Sequence, residues 1–359
     1  MASVKGGRRT TLTLQRLVVA LGIGRAYGVY PARKTFFDTQ SNLQRAVDTQ
    51  NTDRLYLPVH DGLSLVDKAN QKYSAAMLTE TQAKSFLDDP ATITAALGRP
   101  APGSPLEGRV GADTSFWMLD VSHLPEPPAQ EAASAEWKVI RAGAGGYEVL
   151  ENLKDDDEAA LLSTARGLGL WHRSVKRCAA CGSPTESRRD GRLRQCTNES
   201  CGERFRPRQD TSIIVLVTDG ADRCLLGRNA RWPEGRYSTL SGFLEFGETL
   251  EECVVREVLE ESGVRVKRES LRFVASQPWL FPRSLMVGFL AEAADSADTS
   301  LAVDEDELAD AAWFERDFIA ERVHRNGPVS AKDTFHVPTR VSLANTLITQ
   351  WLDEGAGSS

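Results

Sequence analysis

The chain has 359 residues, 41% of them hydrophobic, enough for two domains and a sizeable buried core. Its formal charge of −7 argues against a general nucleic-acid-binding surface, because such surfaces need excess cation to displace counterions. No run approaches the roughly 18 apolar residues of a membrane-spanning helix, so no membrane role is expected.

The N-terminus departs from this acidic balance. Residues 1–37 contain Lys5, Arg8, Arg9, Arg16, Arg25, Arg33 and Lys34, and the first acid is Asp38. Thr10, Thr11 and Thr13 lie beside the short apolar run Leu17 to Ile23. A basic, acid-poor, hydroxyl-bearing leader is the pattern of an organelle transit peptide, so mitochondrial import is expected. The alternative is a cytoplasmic protein whose first residues form a basic tail or an ordinary strand and helix. A secretory signal fits worse, since no small-residue cleavage site follows the apolar run.

Residues 38–154 read as a small α+β domain. Arg54 to Val59 and Thr114 to Asp120 are strand-like, separated by turn-rich punctuation at Arg99 to Gly103, Pro125 to Pro128 and Gly143 to Gly146. This region names no chemistry. Residues 155–207 open on Asp155, Asp156 and Asp157, favourable near a helix N-terminus, and a helix is predicted over Ala159 to Leu170. Two cysteine knuckles follow, Cys178-Ala-Ala-Cys181-Gly and Cys196-Thr-Asn-Glu-Ser-Cys201-Gly. Four thiolates satisfy tetrahedral Zn²⁺ and leave no open coordination position, so this ribbon is structural rather than catalytic. The glycine after each pair allows the tight turn the sulfurs need. Two disulfides are the alternative, disfavoured because the rest of the chain shows no secreted disulfide framework. Cys224 and Cys253 are expected to pack in cores.

From 208 to 351 the pattern changes. Ser212 to Val217 is a buried-strand run, Asp219-Gly220 a turn and Arg223 to Leu226 the returning strand. Gly242 to Val264 then reads GFLEFGETLEECVVREVLEESGV. Leu250 to Ser262 is predicted helical, with Leu250, Val254, Val258 and Leu259 as core contacts. Glu257, Glu260 and Glu261 fall three and four apart on one side, close enough to share cations. Carboxylates are hard ligands suited to Mg²⁺ or Mn²⁺, which bridge to phosphates. Arg256 is placed to pair with a glutamate such as Glu248 and hold helix and loop together. Clustered glutamates alone would be a solvated helix face. The complete spacing, with Gly242, Glu248, Arg256 and the glutamate trio all present, resembles the Nudix box. That resemblance implies an α/β class fold, a Nudix α/β/α sandwich following the N-terminal α+β domain and inserted zinc ribbon, and hydrolysis of a nucleoside diphosphate linked to another moiety.

Downstream, Ser276 to Met286 reads SQPWLFPRSLM. On its own such a stretch is a rigid loop packed on the core. It resembles the SQPWPFPxS-L-M motif of NADH pyrophosphatases of the NudC type, and the ribbon, box and motif occur in that family's order over roughly residues 155–351. The region before 155 matches only loosely. The basic leader and the ending HVPTRVSLANTLITQW are similar to mitochondrial eukaryotic members, and 352–359 is a tail.

The resemblance implies roles residue by residue. Glu257 and Glu261 match box metal ligands, joined by the backbone carbonyl of Ser241 and by Glu307, which precedes Ala311-Ala312-Trp313-Phe314. Glu260 matches the remaining box glutamate, a metal ligand or base; with Arg256 these form the expected catalytic set. Phe243 matches an aromatic that stacks on adenine. Gln277, Pro278, Trp279, Phe281, Pro282, Arg283 and Ser284 match the nucleotide-contacting segment, and Ala344 a backbone contact. Also implied are a homodimer, catalytic Mg²⁺ or Mn²⁺, structural Zn²⁺, and cleavage of NADH, and of NAD, NADPH or NAD-capped RNA ends, to AMP and nicotinamide mononucleotide. Two positions depart from the family: Leu280 where it has Pro, and Arg206 where a Tyr precedes the proline. A Nudix enzyme for ADP-ribose or a dinucleoside polyphosphate is one alternative. A non-catalytic nucleotide sensor or RNA-binding module is another.

Overall fold

A computed structural model describes residues 43–44, 53–129, 134–139, 147–154, 157–294, 300–323 and 335–356. The basic leader, residues 1–37, lies outside the described residues.

Eight strands build the N-terminal sheet: Leu43–Gln44 (β1), Asp53–His60 (β2), Leu63–Ala69 (β3), Lys72–Ala75 (β4), Leu78–Thr79 (β5), Ile93–Pro100 (β6), Thr114–Asp120 (β7) and Ala135–Val139 (β8). Their order is β1-β6-β7-β2-β3-β4, with β5 on β2 and β8 on β3. The two strands legible in the sequence, β2 and β7, lie side by side and parallel. Helices Glu80–Leu87 (α1), Pro105–Val110 (α2) and Tyr147–Glu151 (α3) are short, whereas Asp157–Ser174 (α4) is longer than the predicted Ala159 to Leu170. Ala159, Leu161, Leu162 and Ala165 of α4 pack with Leu57, Val59, Phe116 and Met118 of the sheet. The helix expected to introduce the ribbon is thus also part of the N-terminal core.

Thr185–Arg188 (β9), Leu193–Cys196 (β10) and Arg204–Phe205 (β11) form the three-stranded ribbon. Its hairpin tip turns through Arg189, Asp190 and Gly191, all at positive φ (50°, 53° and 77°). A side chain at Gly191 would meet Ala95 Cα at 2.4 Å, so only glycine lets the tip press against β6. The Ala96 amide donates to Asp190 O at 2.8 Å, locking the contact. Behind the tip His172 is fully buried, with Nε2 2.8 Å from Gly191 O and Nδ1 3.1 Å from Arg194 Nη1. An arginine can only donate, so His172 accepts at Nδ1 and carries its proton on Nε2. Burial, reinforced by the Arg194 charge, holds its pKa down to about 4.

The third unit contains Asp210–Thr218 (β12), Arg223–Arg228 (β13), Leu240–Phe243 (β14), Leu250–Ser262 (α5), Arg272–Trp279 (β15), Ser284–Glu292 (β16), Asp310–Glu315 (β17), Arg316–Val323 (α6) and Leu343–Ala356 (α7). The sheet order is β15-β16-β12-β13-β17, with β14 on β12. Strand β12 runs parallel to β16 and is apolar on both faces, as a strand covered on both sides must be. Ile213, Val215 and Val217 meet Val254 and Val258 of α5; Ile214 and Leu216 meet Leu347, Ile348 and Trp351 of α7. Each such buried side chain contributes roughly 1.5–3 kcal/mol. The result is the expected α/β/α sandwich.

Helix α5 starts at a reciprocal capping box between Thr249 and Glu252 and ends at Gly263, whose φ of 75° is left-handed. One expected core contact is corrected: Leu259 is 45% exposed. The buried side of the helix holds Cys253, Val254, Glu257, Val258 and Glu261, so two carboxylates occupy positions that an ordinary amphipathic helix gives to apolar residues.

Candidate active site

Strand β14 and helix α5 bring Glu257 against the backbone of Gly242. A Cβ built at Gly242 would lie 1.8–2.2 Å from the Glu257 carboxyl atoms, so the box glycine is what makes room for the carboxylate. Glu257 and Glu261 are only 7% and 6% exposed. Burial raises the pKa of Glu257, opposed by Arg256 and reinforced by Glu307 and Glu260. Glu261 is pushed up to about 8, first by burial and then by Glu257 and Glu307, with the Ser241 backbone opposing. Within the acidic run Asp304 to Glu307, it is Glu307 whose charge reaches both buried glutamates. Glu261 Oε2 is buried with no hydrogen-bond partner among the described residues. Carboxylates that repel one another, two of them buried and one with an orphaned oxygen, are a donor set that fits a divalent cation. Glu260 stands apart: its side chain is 51% exposed and pairs with Arg256 at 2.9 Å.

Arg256 ties this site together. Its Nε and Nη2 donate to the two oxygens of Glu248 at 2.7 and 2.8 Å, and Nη2 also donates to Phe243 O at 2.9 Å. Nη1 lies 2.9 Å from both Glu257 and Glu260. Arg256 pulls the Glu248 carboxyl down to about 2, and Glu248 in turn accepts the Glu245 amide at 3.0 Å, shaping the loop before the helix. A planar two-pronged donor is needed for this geometry, which a lysine cannot supply. Cys253 lies beneath, fully buried, its thiol pushed up to about 12 by burial, while Cys224 is buried in the core on the other face of the sheet. Phe243 is 58% exposed at the mouth of the site.

The SQPWLFPRS stretch is the end of a β-hairpin. Gln277, Pro278 and Trp279 pair with Met286, Leu285 and Ser284, so only residues 280–283 form the connecting turn. The Gln277 carboxamide is buried and bridges the chain to the start of α7, donating to Val341 O at 2.9 Å and accepting from the Leu343 amide at 2.8 Å. Ala344, the next residue, is buried in the same region. Trp279 and Phe281 stack edge-to-face and pack against the N-terminal core. Pro282 and Arg283 are exposed, Arg283 pairs with Asp210 at 2.7 Å, and Ser284 is buried.

The N-terminal domain holds this hairpin through a residue that the sequence did not single out. Arg166 of α4 donates to Leu280 O at 2.9 Å and to Gly62 O at 3.2 Å, and its guanidinium lies 5.3 Å from the Phe281 ring centre. Leu280 seats on Gly167, where an added Cβ would stand 3.3 Å from Leu280 Cβ. No local pattern could have exposed Arg166, because its hairpin partner is 114 residues away.

At the other metal-capable site, the ligand sulfurs of Cys178, Cys181, Cys196 and Cys201 all lie within 4.8 Å of one another. Cys178–Cys201 and Cys181–Cys196 are 3.7 and 3.5 Å apart. Those distances are close to the roughly 3.8 Å edge of a tetrahedron with Zn–S bonds of about 2.3 Å. They exceed a disulfide bond of about 2.05 Å. Gly182 and Gly202 follow the knuckles at φ 74° and 60°, making the tight turns.

Residues 207–332 match the NUDIX domain model. The NAD-capped RNA hydrolase NudC of Mycobacterium bovis (strain BCG / Pasteur 1173P2) is 37% identical over 254 residues, which is 70% of this chain and 76% of that protein. The NAD-capped RNA hydrolase NUDT12 of Homo sapiens is 38% identical over 205 residues, 55% of this chain and 42% of that protein. A NUDIX hydrolase crystal structure from Nitrosomonas europaea aligns with a TM-score of 0.39 and 18% identity over 52% of this chain and 94% of that chain. With the box glutamates gathered on α5 and a relative of this identity and coverage, the chain belongs to the Nudix hydrolase family, in its NudC-type branch.

Proposed function

We propose that this enzyme adds water across the diphosphate of NAD(H), releasing AMP and nicotinamide mononucleotide, and cuts the same bond in NAD-capped RNA ends. The observation that carries the reading is that Glu257 fills the gap left by Gly242 and repels buried Glu261, with the charge of Glu307 acting on both. The names of the relatives support the choice of substrate.

Glu257, Glu261, Glu307 and the Ser241 carbonyl would hold Mg²⁺ or Mn²⁺, which when bound lowers the pKa of a water and offsets charge on the diphosphate. The chain's own residues supply position. Arg256 fixes the loop and helix on which Phe243, Glu257 and Glu260 sit. Exposed Phe243 offers a stacking face to adenine, and half-exposed Glu260 is free to exchange Arg256 for a metal-bound or water ligand. The turn at residues 280–283, braced on α4, borders the nucleotide. Zn²⁺ is assigned to the four thiolates as a structural ion. Family resemblance supports a homodimer, and the composition of residues 1–37 supports mitochondrial import.

Purified protein incubated with Mg²⁺ or Mn²⁺ and, separately, NADH, NAD, ADP-ribose and NAD-capped RNA tests the reading. AMP released from NADH faster than from ADP-ribose is expected. Equal cleavage of every substrate, or none from NADH, overturns it.

A further inference from the structure

The ribbon segment 175–209 carries nine Lys or Arg against four Asp or Glu, a net +5 inside a chain whose total is −7. At physiological salt, charges farther than a Debye length of about 8 Å are largely screened, so a ligand at the ribbon feels its local charge rather than the acidic remainder. Of these cations Arg194 is turned inward against His172, whereas Lys176, Arg188, Arg189, Arg204, Arg206 and Arg208 are exposed.

Their arrangement has direction. Gln195 pairs with Glu186 on one side and with Arg204 on the other, and Arg188 pairs opposite Leu193, so Arg188 and Arg204 share one face of the ribbon sheet. Arg188 pairs with Glu186, while Arg189, Arg204 and Arg206 have no ion-pair partner among the described residues. Beyond Phe205 the chain passes Arg206 and Arg208 and enters β12 at Asp210, where Arg208 Nε is 3.8 Å from the Asp210 carboxylate and 75% exposed. The Asp210 amide donates to Arg283 O at 2.9 Å, and two residues on Ser212 pairs with Phe243. The basic strand therefore runs from the ribbon to the mouth of the glutamate site.

We propose that this strand and the ribbon face behind it are a docking track for the sugar-phosphate chain of a single-stranded RNA whose capped end occupies the active site. The inference rests on the reading that the enzyme cleaves NAD-capped RNA ends. A free dinucleotide has no sugar-phosphate chain continuing beyond its own two nucleotides, so the track acts on one substrate and not on the other. Phosphate contacts of this kind position the strand without reading its sequence.

The test compares wild-type enzyme with R188E/R204E and with R188K/R204K on two substrates, NADH and an NAD-capped single-stranded RNA, across salt concentrations. With R188E/R204E, kcat/KM for the capped RNA is expected to fall about tenfold or more at low salt, while NADH hydrolysis is unchanged. The salt dependence for RNA should become shallower by a log–log slope of about 1.4, the share of two contacts on a single strand. R188K/R204K should keep both activities. A parallel loss on both substrates, or loss on neither, overturns the track. If wild-type enzyme fails on NADH, it is the proposed activity that fails; binding of an uncapped single-stranded RNA, followed by fluorescence anisotropy, then judges the track alone. Salt-sensitive binding that R188E/R204E weakens supports it, and equal binding by both proteins overturns it.

Discussion

The four-cysteine cluster and the proposed glutamate site are built on opposite principles. The thiols already stand at tetrahedral spacing, held by two positive-φ glycines in a ribbon whose tip is locked to the N-terminal sheet through Gly191 and His172. Glu257 and Glu261 are buried, repel one another and Glu307, and leave Glu261 Oε2 without a hydrogen-bond partner among the described residues. A closed site of the first kind stabilises a fold. An open one of the second kind keeps coordination positions for a phosphate and a water. An ion at the ribbon would therefore belong with the core, and one at the box with the substrate.

Breaking the ribbon gives the largest expected effect. Cys196→Ser should release zinc, measured by metal analysis, and destabilise the protein by more than about 4 kcal/mol, because the metal's binding energy is folding energy there. If melting were unchanged, the cluster would not be structural. The opposite signature is expected at the box. Gly242→Ala places a methyl where the Glu257 carboxyl lies, so NADH turnover should fall on the order of 100-fold, about 3 kcal/mol, with zinc content and melting little changed.

A pH experiment sharpens the first half of the comparison. His172 has a folded-state pKa lowered to about 4 from 6.5. Its neutral form is matched to its site, so its stabilising role is complete above pH 6.5. As pH falls from 6.5 toward 4 the unfolded chain gains a proton that the folded one refuses, and about 3 kcal/mol of stability should be lost. Denaturant unfolding at several pH values measures this, and in His172→Gln the loss over that window should be smaller. The smallest effect is expected at the brace between domains. Arg166→Ala removes a hydrogen bond to the hairpin turn worth about 1 kcal/mol, so KM for NADH should rise roughly fivefold with kcat little changed.

Sequence legibility followed the range of the interactions. The knuckles and the box were readable because their chemistry is set by spacing within a few residues of Cys178, Cys196 and Glu257. Leu259 misled because Glu257 and Glu261 share the buried side of α5, which hydrophobic periodicity alone assigns to apolar residues. The hairpin ending at Trp279 and Ser284, and its brace from Arg166, depend on partners that no local pattern names. Net charge is likewise an average: the total of −7 includes a ribbon segment of +5. Leu280, a departure from the family motif, is accommodated by Gly167 on the facing helix.

The proposed function assigns NADH cleavage to the glutamates of α5 and none of it to the ribbon. AMP release from NADH by Glu257→Gln and wild-type enzyme, each with its zinc content measured, tests it most directly. A loss of at least about 100-fold is expected in Glu257→Gln, with full zinc occupancy. Undiminished AMP release by that variant would contradict it.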